Sequence, residues 1–301
     1  MRSTVSFLNR THALPLLAAL ILMAGVSACD ARAFTLTGPA ASIPRGATIF
    51  GVDDRNTLVA FGRGNPTRGE VRRIPIVGLG TGETVVGIDF RANAPGVSDR
   101  RLYAITSTNR VVTVDTTTGV ATIIGTAAFT PVLAGTSFGV DFNPQADRIR
   151  LHSDAEQDLR LNPLSGTVAA TDTALAYADG DVNAGQNPTI VGTAYTNSVP
   201  AATATDLFAI DADRDALVVL ESPNSGKLTT RGALGVNTAL AVGFDIVGAG
   251  AGTSFAGTAY ATLTGNPTRS QLYTINLTTG LASLIGDVNH DRALIGIAIA
   301  P

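Results

Sequence analysis

The feature that most constrains this chain is a five-residue block recurring at a nearly constant interval. It reads Val86-Gly87-Ile88-Asp89-Phe90, Phe138-Gly139-Val140-Asp141-Phe142, Val191-Gly192-Thr193-Ala194-Tyr195, Val242-Gly243-Phe244-Asp245-Ile246 and Ile295-Gly296-Ile297-Ala298-Ile299. Its glycines stand 52, 53, 51 and 53 residues apart. Such regularity means one supersecondary unit used repeatedly, each copy burying an apolar face against the next. Within a block the bulky residues occupy one parity, and Gly followed by Asp or Ala the other, which is the period-2 pattern of a β-strand. Both faces suit burial. The innermost strand of a propeller blade has this need, because converging blades leave room on one side only for slim residues.

Three further strand-like runs follow a block, clearest as Leu102-Tyr103-Ala104-Ile105, Val111-Val112-Thr113-Val114 and Ala121-Thr122-Ile123-Ile124. Four strands per repeat make a propeller blade. The turn before the last strand recurs as Asp115-Thr116-Thr117-Thr118-Gly119, Asn162-Pro163-Leu164-Ser165-Gly166, Ser222-Pro223-Asn224-Ser225-Gly226 and Asn276-Leu277-Thr278-Thr279-Gly280. A polar opener and a closing glycine able to take positive φ suit a tight reversal. Residues 47 to 77 carry only the last three strands of a blade: Thr48 to Val52, Leu58 to Phe61 and Val71 to Val77. The missing first strand is Ile295 to Ile299. The expected fold is therefore all-β: a five-bladed β-propeller with four-stranded blades, its ring closed by the C-terminal strand pairing with the N-terminal blade. Closure removes open sheet edges. A β-sandwich or β-solenoid is the alternative.

The N-terminal region reads as an export signal. Arg2 and Arg10 precede an apolar run from Ala13 to Val26, followed by small residues up to Ala28-Cys29. That order and length fit a signal peptide, and the run is short for a membrane span. Val26-Ser27-Ala28-Cys29 resembles the lipobox of bacterial lipoproteins, whose cysteine is acylated and becomes the new N-terminus. Cys29 is the chain's one cysteine. The expected organisation is a signal peptide over 1–28, an anchor and linker over 29–46 and a single propeller over 47–301, lipid-anchored in the cell envelope. Cleavage after Ala33, giving a soluble secreted protein, is the alternative. Loss of residues 1–28 removes two arginines and no acids, so the formal charge moves from −3 to 19 − 24 = −5. That balance disfavours nucleic acid as a partner. With no cysteine pair, the mature domain depends on its buried core rather than on disulfides.

From Gly139 onward, Asp147-Arg148-Ile149-Arg150-Leu151, Ser153-Asp154, Leu159-Arg160-Leu161-Asn162-Pro163, Ala194-Tyr195-Thr196-Asn197, Leu234-Gly235-Val236 and Gly243-Phe244-Asp245-Ile246 resemble the pattern of a bacterial family, the domain of unknown function DUF4394. The likeness extends back through Gly87-Ile88-Asp89-Phe90-Arg91. His152, Glu156 and Asp158 depart from the pattern, where a β-branched residue, glycine and asparagine are usual. The resemblance implies export and repeats, and no activity that transfers residue by residue.

Three constellations bear on chemistry. Gly135-Thr136-Ser137-Phe138-Gly139 matches the nucleophile-elbow pattern, which requires a strand, a sharp turn and a helix; here a strand follows, so Ser137 reads as a turn residue. Asp89, Asp141 and Asp245 share one phase of the innermost strands and reach the channel. Paired carboxylates there would suit a glycosidase, but buried carboxylates also serve as acceptors for backbone groups of a neighbouring blade. Finally, the connection 171–188 contains Asp179-Gly180-Asp181-Val182-Asn183, and the turn Asp211-Ala212-Asp213 is expected on the same face. Asp179, Asp181, Asn183, Asp211 and Asp213, with Asp154 and Glu156 nearby, form an acidic rim offering oxygen ligands for a calcium ion. Position twelve of that loop is Ile190, so it is no EF-hand. No cofactor is required on this reading. The expectation is a monomeric, non-enzymatic binding or scaffolding module, held to a bilayer through Cys29 and presenting loops to a protein or glycan. The alternative is a hydrolase of a glycan or ester using Asp89, Asp141 and Asp245.

Overall fold

The computed structural model describes residues 48–91, 100–199, 202–248, 257–265 and 269–301. The expectations placed on the signal peptide, Cys29, Ala33 and the linker to residue 46 lie outside the described residues. With strands numbered along the chain, the first blade comprises β1 (Thr48–Asp53), β2 (Thr57–Gly62) and β3 (Arg72–Pro75), and the second β4 (Val85–Phe90), β5 (Leu102–Thr106), β6 (Arg110–Val114) and β7 (Ala121–Ile124). The third holds β8 (Phe138–Asn143), β9 (Arg148–Ser153), β10 (Asp158–Leu161) and β11 (Val168–Thr171). A short β12 (Ala176–Tyr177) precedes the fourth blade, β13 (Ile190–Tyr195), β14 (Leu207–Asp211), β15 (Ala216–Leu220) and β16 (Lys227–Ala233). The fifth is β17 (Gly243–Val247), β18 (Thr258–Leu263), β19 (Gln271–Ile275) and β20 (Ala282–Asp287), and β21 (Leu294–Ile299) ends the chain.

Each blade is a separate antiparallel sheet, and β21 completes the first in the order β21-β1-β2-β3. Ile49 faces Ile299 and Gly51 faces Ile297 across that closing pair. The inner strands contact one another in the cycle β4, β8, β13, β17, β21 and back to β4, so the sheets form a five-bladed propeller, neither a sandwich nor a solenoid. Among the described residues no helix is long and apolar enough to cross a membrane.

The glycine of each inner strand marks where blades meet. A Cβ on Gly87 would lie 2.5 Å from Val140 Cγ2, and one on Gly139 would lie 2.6 Å from the Thr193 nitrogen. Farther out, the glycine of the recurring turn abuts the outer strand of the preceding blade. Gly119 takes φ +76° with its Cβ position 2.1 Å from Pro75 O, so both its backbone conformation and its neighbour exclude a side chain.

Apolar side chains of both facing blades fill four of the five junctions, and at the remaining one only the fourth blade contributes an apolar face, with Leu207, Val218 and Leu228. Phe50, Leu58, Ile88 and Leu102 lie between the first and second blades, and Tyr103, Val140 and Leu151 between the second and third. Phe208, Leu217, Phe244 and Ala261 join the fourth to the fifth, and Ile49, Phe61, Leu272 and Ile297 join the fifth to the first. The third blade turns a polar side to the fourth. There Arg150, 1% exposed, donates from Nη1 to Asp158 Oδ1 at 2.5 Å and to Asp172 Oδ2 at 2.7 Å, and from Nη2 to Asn224 Oδ1 at 2.8 Å. The buried His152 ring meets Thr193 Oγ1 at 3.1 Å through Nδ1 and lies 3.4 Å from Asp158 Oδ1 through Nε2. Burial opposes the charge on Asp158, yet the His152 and Arg150 contacts hold its carboxyl below the usual carboxylate value. Two of the residues that set this chain apart from the family pattern, His152 and Asp158, are thus each other's partners.

Candidate functional site

Each inner strand bonds its own sheet along one edge and turns the other edge to the axis. In such a strand, alternate residues direct their backbone groups to the unpaired edge. Five of these inward N–H groups, one per blade, are capped by three aspartates. Phe90 and Phe142 donate to Asp89 Oδ1 and Oδ2, both at 2.7 Å. Tyr195 donates to Asp141 Oδ1 at 3.2 Å. Ile246 and Ile299 donate to Asp245 Oδ1 and Oδ2, both at 2.6 Å. Each carboxylate reaches the next blade round the ring. Where the preceding repeat carries Ala194 or Ala298 instead of Asp, the orphaned N–H of Ile246 or Phe90 turns to the aspartate beside it in its own strand.

Asp89, Asp141 and Asp245 are 6%, 1% and 5% exposed, and ligand-capable oxygens of the three lie within 4.8 Å of one another. Burial pushes the Asp89 and Asp141 carboxyls well above their ordinary value, and the neighbouring carboxylates push them further. Burial raises Asp245 to about 6, against the lowering effect of its bonds to Ile299 and Ile246. Beside the triad the channel ends in a cavity of about 50 Å³ bordered by Asp89, Arg91, Asp245 and Pro301. Past it, between the glycines of the inner strands, the free space is about 10 Å³. That is room for about one water molecule.

The acidic rim is arranged differently. Asp181 accepts Thr230 N–H at 2.7 Å, Thr230 Oγ1–H at 2.8 Å and Asn183 N–H at 2.9 Å. Asn183 donates to Thr230 Oγ1 at 3.0 Å. Asp211 is fully buried and accepts the Tyr177 hydroxyl at 2.6 Å and the Asp213 N–H at 3.0 Å. These bonds pin the connection to the fourth blade, where β12 adds a fifth, parallel strand beside β16. Asp179 and Asp213 are exposed. The five residues do not gather as one ligand set. Among the described residues, the acidic group that does so is the axial triad. Just before this loop Leu175 and Tyr177 bury themselves with Leu228 and seat β12 on the sheet edge, and the 179–185 segment itself runs as successive turns.

At the opposite mouth of the channel lies a wider cavity, about 320 Å³, that sequence reasoning missed. Val86, Phe138, Leu240, Ala241 and Ile295 form its apolar walls, and Asp54, Thr84, Thr136 and Ser137 its polar rim. Three of the wall residues, Val86, Phe138 and Ile295, immediately precede a channel glycine. The strand pairing shifts register at Val86 between β4 and β5 and at Ile295 between β1 and β21. Such bulges re-aim a side chain, here toward the mouth. Gly135 takes φ +102°, and Asp154 holds the adjoining segment through Thr136 N at 2.8 Å and Thr136 Oγ1 at 2.7 Å. Ser137 enters β8 directly, as the strand after it requires. Neither histidine of the described residues stands beside it: His152 faces Thr193, and His290 meets Asp53 Oδ2 at 3.0 Å.

No curated protein matches the chain. Among solved structures, PorZ, a bacterial surface component of the type-IX secretion system of Porphyromonas gingivalis, is similar at 15% identity and a TM-score of 0.35, over 79% of this chain and 26% of that one. A protein of unknown function from Bacteroides thetaiotaomicron is similar at 14% identity and a TM-score of 0.44, over 82% of this chain and 62% of its own. The chain thus spans less than two thirds of either structure. A family model matches residues 57–298, which include strands of all five blades, and the chain belongs to that family, the domain of unknown function DUF4394.

Proposed function

We propose that the protein is a non-enzymatic binding and scaffolding module of the cell envelope, tethered by an acylated Cys29, in which a rigid ring presents its loops and axial mouth to a ligand. The observation that carries this reading is the engagement of Asp89, Asp141 and Asp245 with the five inward N–H groups. Those carboxylates serve as the ring's internal fasteners. A glycan or ester would need a pocket of roughly 300–1,000 Å³ beside them, and the adjoining cavity is about 50 Å³. One observation favours a hydrolase as second reading: the raised Asp89, Asp141 and Asp245 carboxyls, since a protonated acid near an ionised one is what glycoside hydrolysis uses.

The test assays the wild type on a panel of glycans and esters, alongside Asp89→Asn, Asp141→Asn and Asp245→Asn variants whose Tm is measured. The expected result is no turnover by the wild type, together with a lowered Tm for Asp89→Asn and Asp245→Asn. Turnover that disappears in a variant melting like the wild type overturns the reading in favour of the hydrolase.

A further inference from the structure

The cavity at the wide mouth has a chemistry specific enough to name what it takes. Its apolar walls come from four repeats: Val86 from the second blade, Phe138 from the third, Leu240 from the segment entering the fifth and Ile295 from the closing strand. Leu240 is 45% exposed although it stands over the axis, where a folded protein gains by covering it. The volume, about 320 Å³, lies at the lower end of the range for small-molecule sites.

The polar rim decides the charge. Asp54 is held by Arg292, whose Nε donates to Oδ1 at 2.6 Å and Nη2 to Oδ2 at 2.5 Å, so neither ion is left to attract a charged ligand. Thr136 Oγ1 is committed to Asp154. The Ser137 and Thr84 hydroxyls have no hydrogen-bond partner among the described residues. A hydroxyl both donates and accepts, so the free polar groups of the site suit a neutral head. A charged head would lose its hydration against Val86, Leu240 and Ile295 and meet no unpaired countercharge.

We propose that the wide mouth of the channel is a receptor site for a small uncharged amphiphile. Its aliphatic body lies against Val86, Phe138, Leu240 and Ile295, and its hydrogen-bonding head is fixed by Ser137. Asp154 holds the segment that carries Ser137, so the head group meets a pre-set partner and little ordering cost is added on binding. The inference rests on the binding-module reading and names the ligand class for it.

The test uses the full chain with Cys29→Ser, so that no acyl group competes for the probes. Neutral N-phenyl-1-naphthylamine reports occupancy by fluorescence, and hexanol, hexanoate and hexylammonium compete for the site. Saturable probe binding is expected, displaced by hexanol, with hexanoate and hexylammonium at least about tenfold weaker. Ala241→Trp, which fills the cavity, should abolish probe binding. Leu240→Ser, at an exposed position, should weaken it about tenfold with Tm unchanged, and decides the matter if Ala241→Trp does not fold. Non-saturable binding, equal competition by the charged compounds, or binding unchanged in Leu240→Ser overturns the site. Enzymatic turnover with hexanol-selective binding intact would overturn the module reading alone, whereas absent binding without turnover overturns this inference alone.

Discussion

A carboxyl group on the axis can accept a backbone N–H whether it is charged or neutral, but three charges within 4.8 Å repel one another in a medium that screens them poorly. The ring therefore binds protons more tightly at these carboxyls than an unfolded chain does. For Asp89, Asp141 and Asp245 the folded-state value lies above the ordinary 3.8. Their contribution to stability is full below that value and is lost as pH rises, through about 6 for Asp245, with Asp89 and Asp141 shifted in the same direction. Tm measured by calorimetry should fall as pH rises through about 6. Asp141→Asn should flatten that fall, because Asp141 makes one 3.2 Å backbone bond and its other oxygen accepts none among the described residues. EDTA should leave the profile unchanged. A Tm raised by calcium in the wild type but not in Asp141→Asn would assign the triad's charge balance to a cation instead of a proton.

At the scale of the element, β21 carries the closure. Leu294, Ile297 and Ile299 are buried on it, each worth roughly 1.5–3 kcal/mol. Together they are comparable with the ~5–15 kcal/mol that holds a domain folded. The strand also supplies the Ile299 N–H that Asp245 caps. Deletion of residues 294–301 should abolish the cooperative melting transition seen by circular dichroism; a truncated chain melting at the full-length temperature would refute closure. The strand was legible because its Gly296 continued the spacing of the other four. Its side-chain roles were less so, since even alternation predicts Ile295 in the core. The register shift against Val52 and Asp53 instead turns Ile295 to the axial mouth and seats Leu294 inside. A bulge adds a residue to one strand without changing the pattern's composition, so it leaves no mark in hydrophobic alternation. The fifth strand β12 escaped notice for a related reason: two residues, Ala176 and Tyr177, carry too little periodicity to stand out from a loop rich in Asp and Gly. The partners of the axial aspartates could be anticipated from burial alone, whereas the sharing of five donors among three carboxylates depends on which repeats carry alanine and on distances between blades.

For the whole molecule, the proposed tether at Cys29 is what would tie architecture to place. If Cys29 is the acylation site, Cys29→Ser should move the protein from the membrane to the soluble fraction of broken cells and abolish labelling by radioactive palmitate. Unchanged fractionation would refute the anchor. The pairing of β1 with β21 also has a consequence for how the chain is made. Ribosomes begin at the N-terminus, so β1 emerges early and finds β2 for one of its edges at once. Its other edge must wait until the four intervening blades have been made and Leu294–Ile299 follows them. The circle thus has a built-in order of assembly: the second edge of β1 is covered only after the four intervening blades exist, and that one pairing converts a row of sheets into a ring.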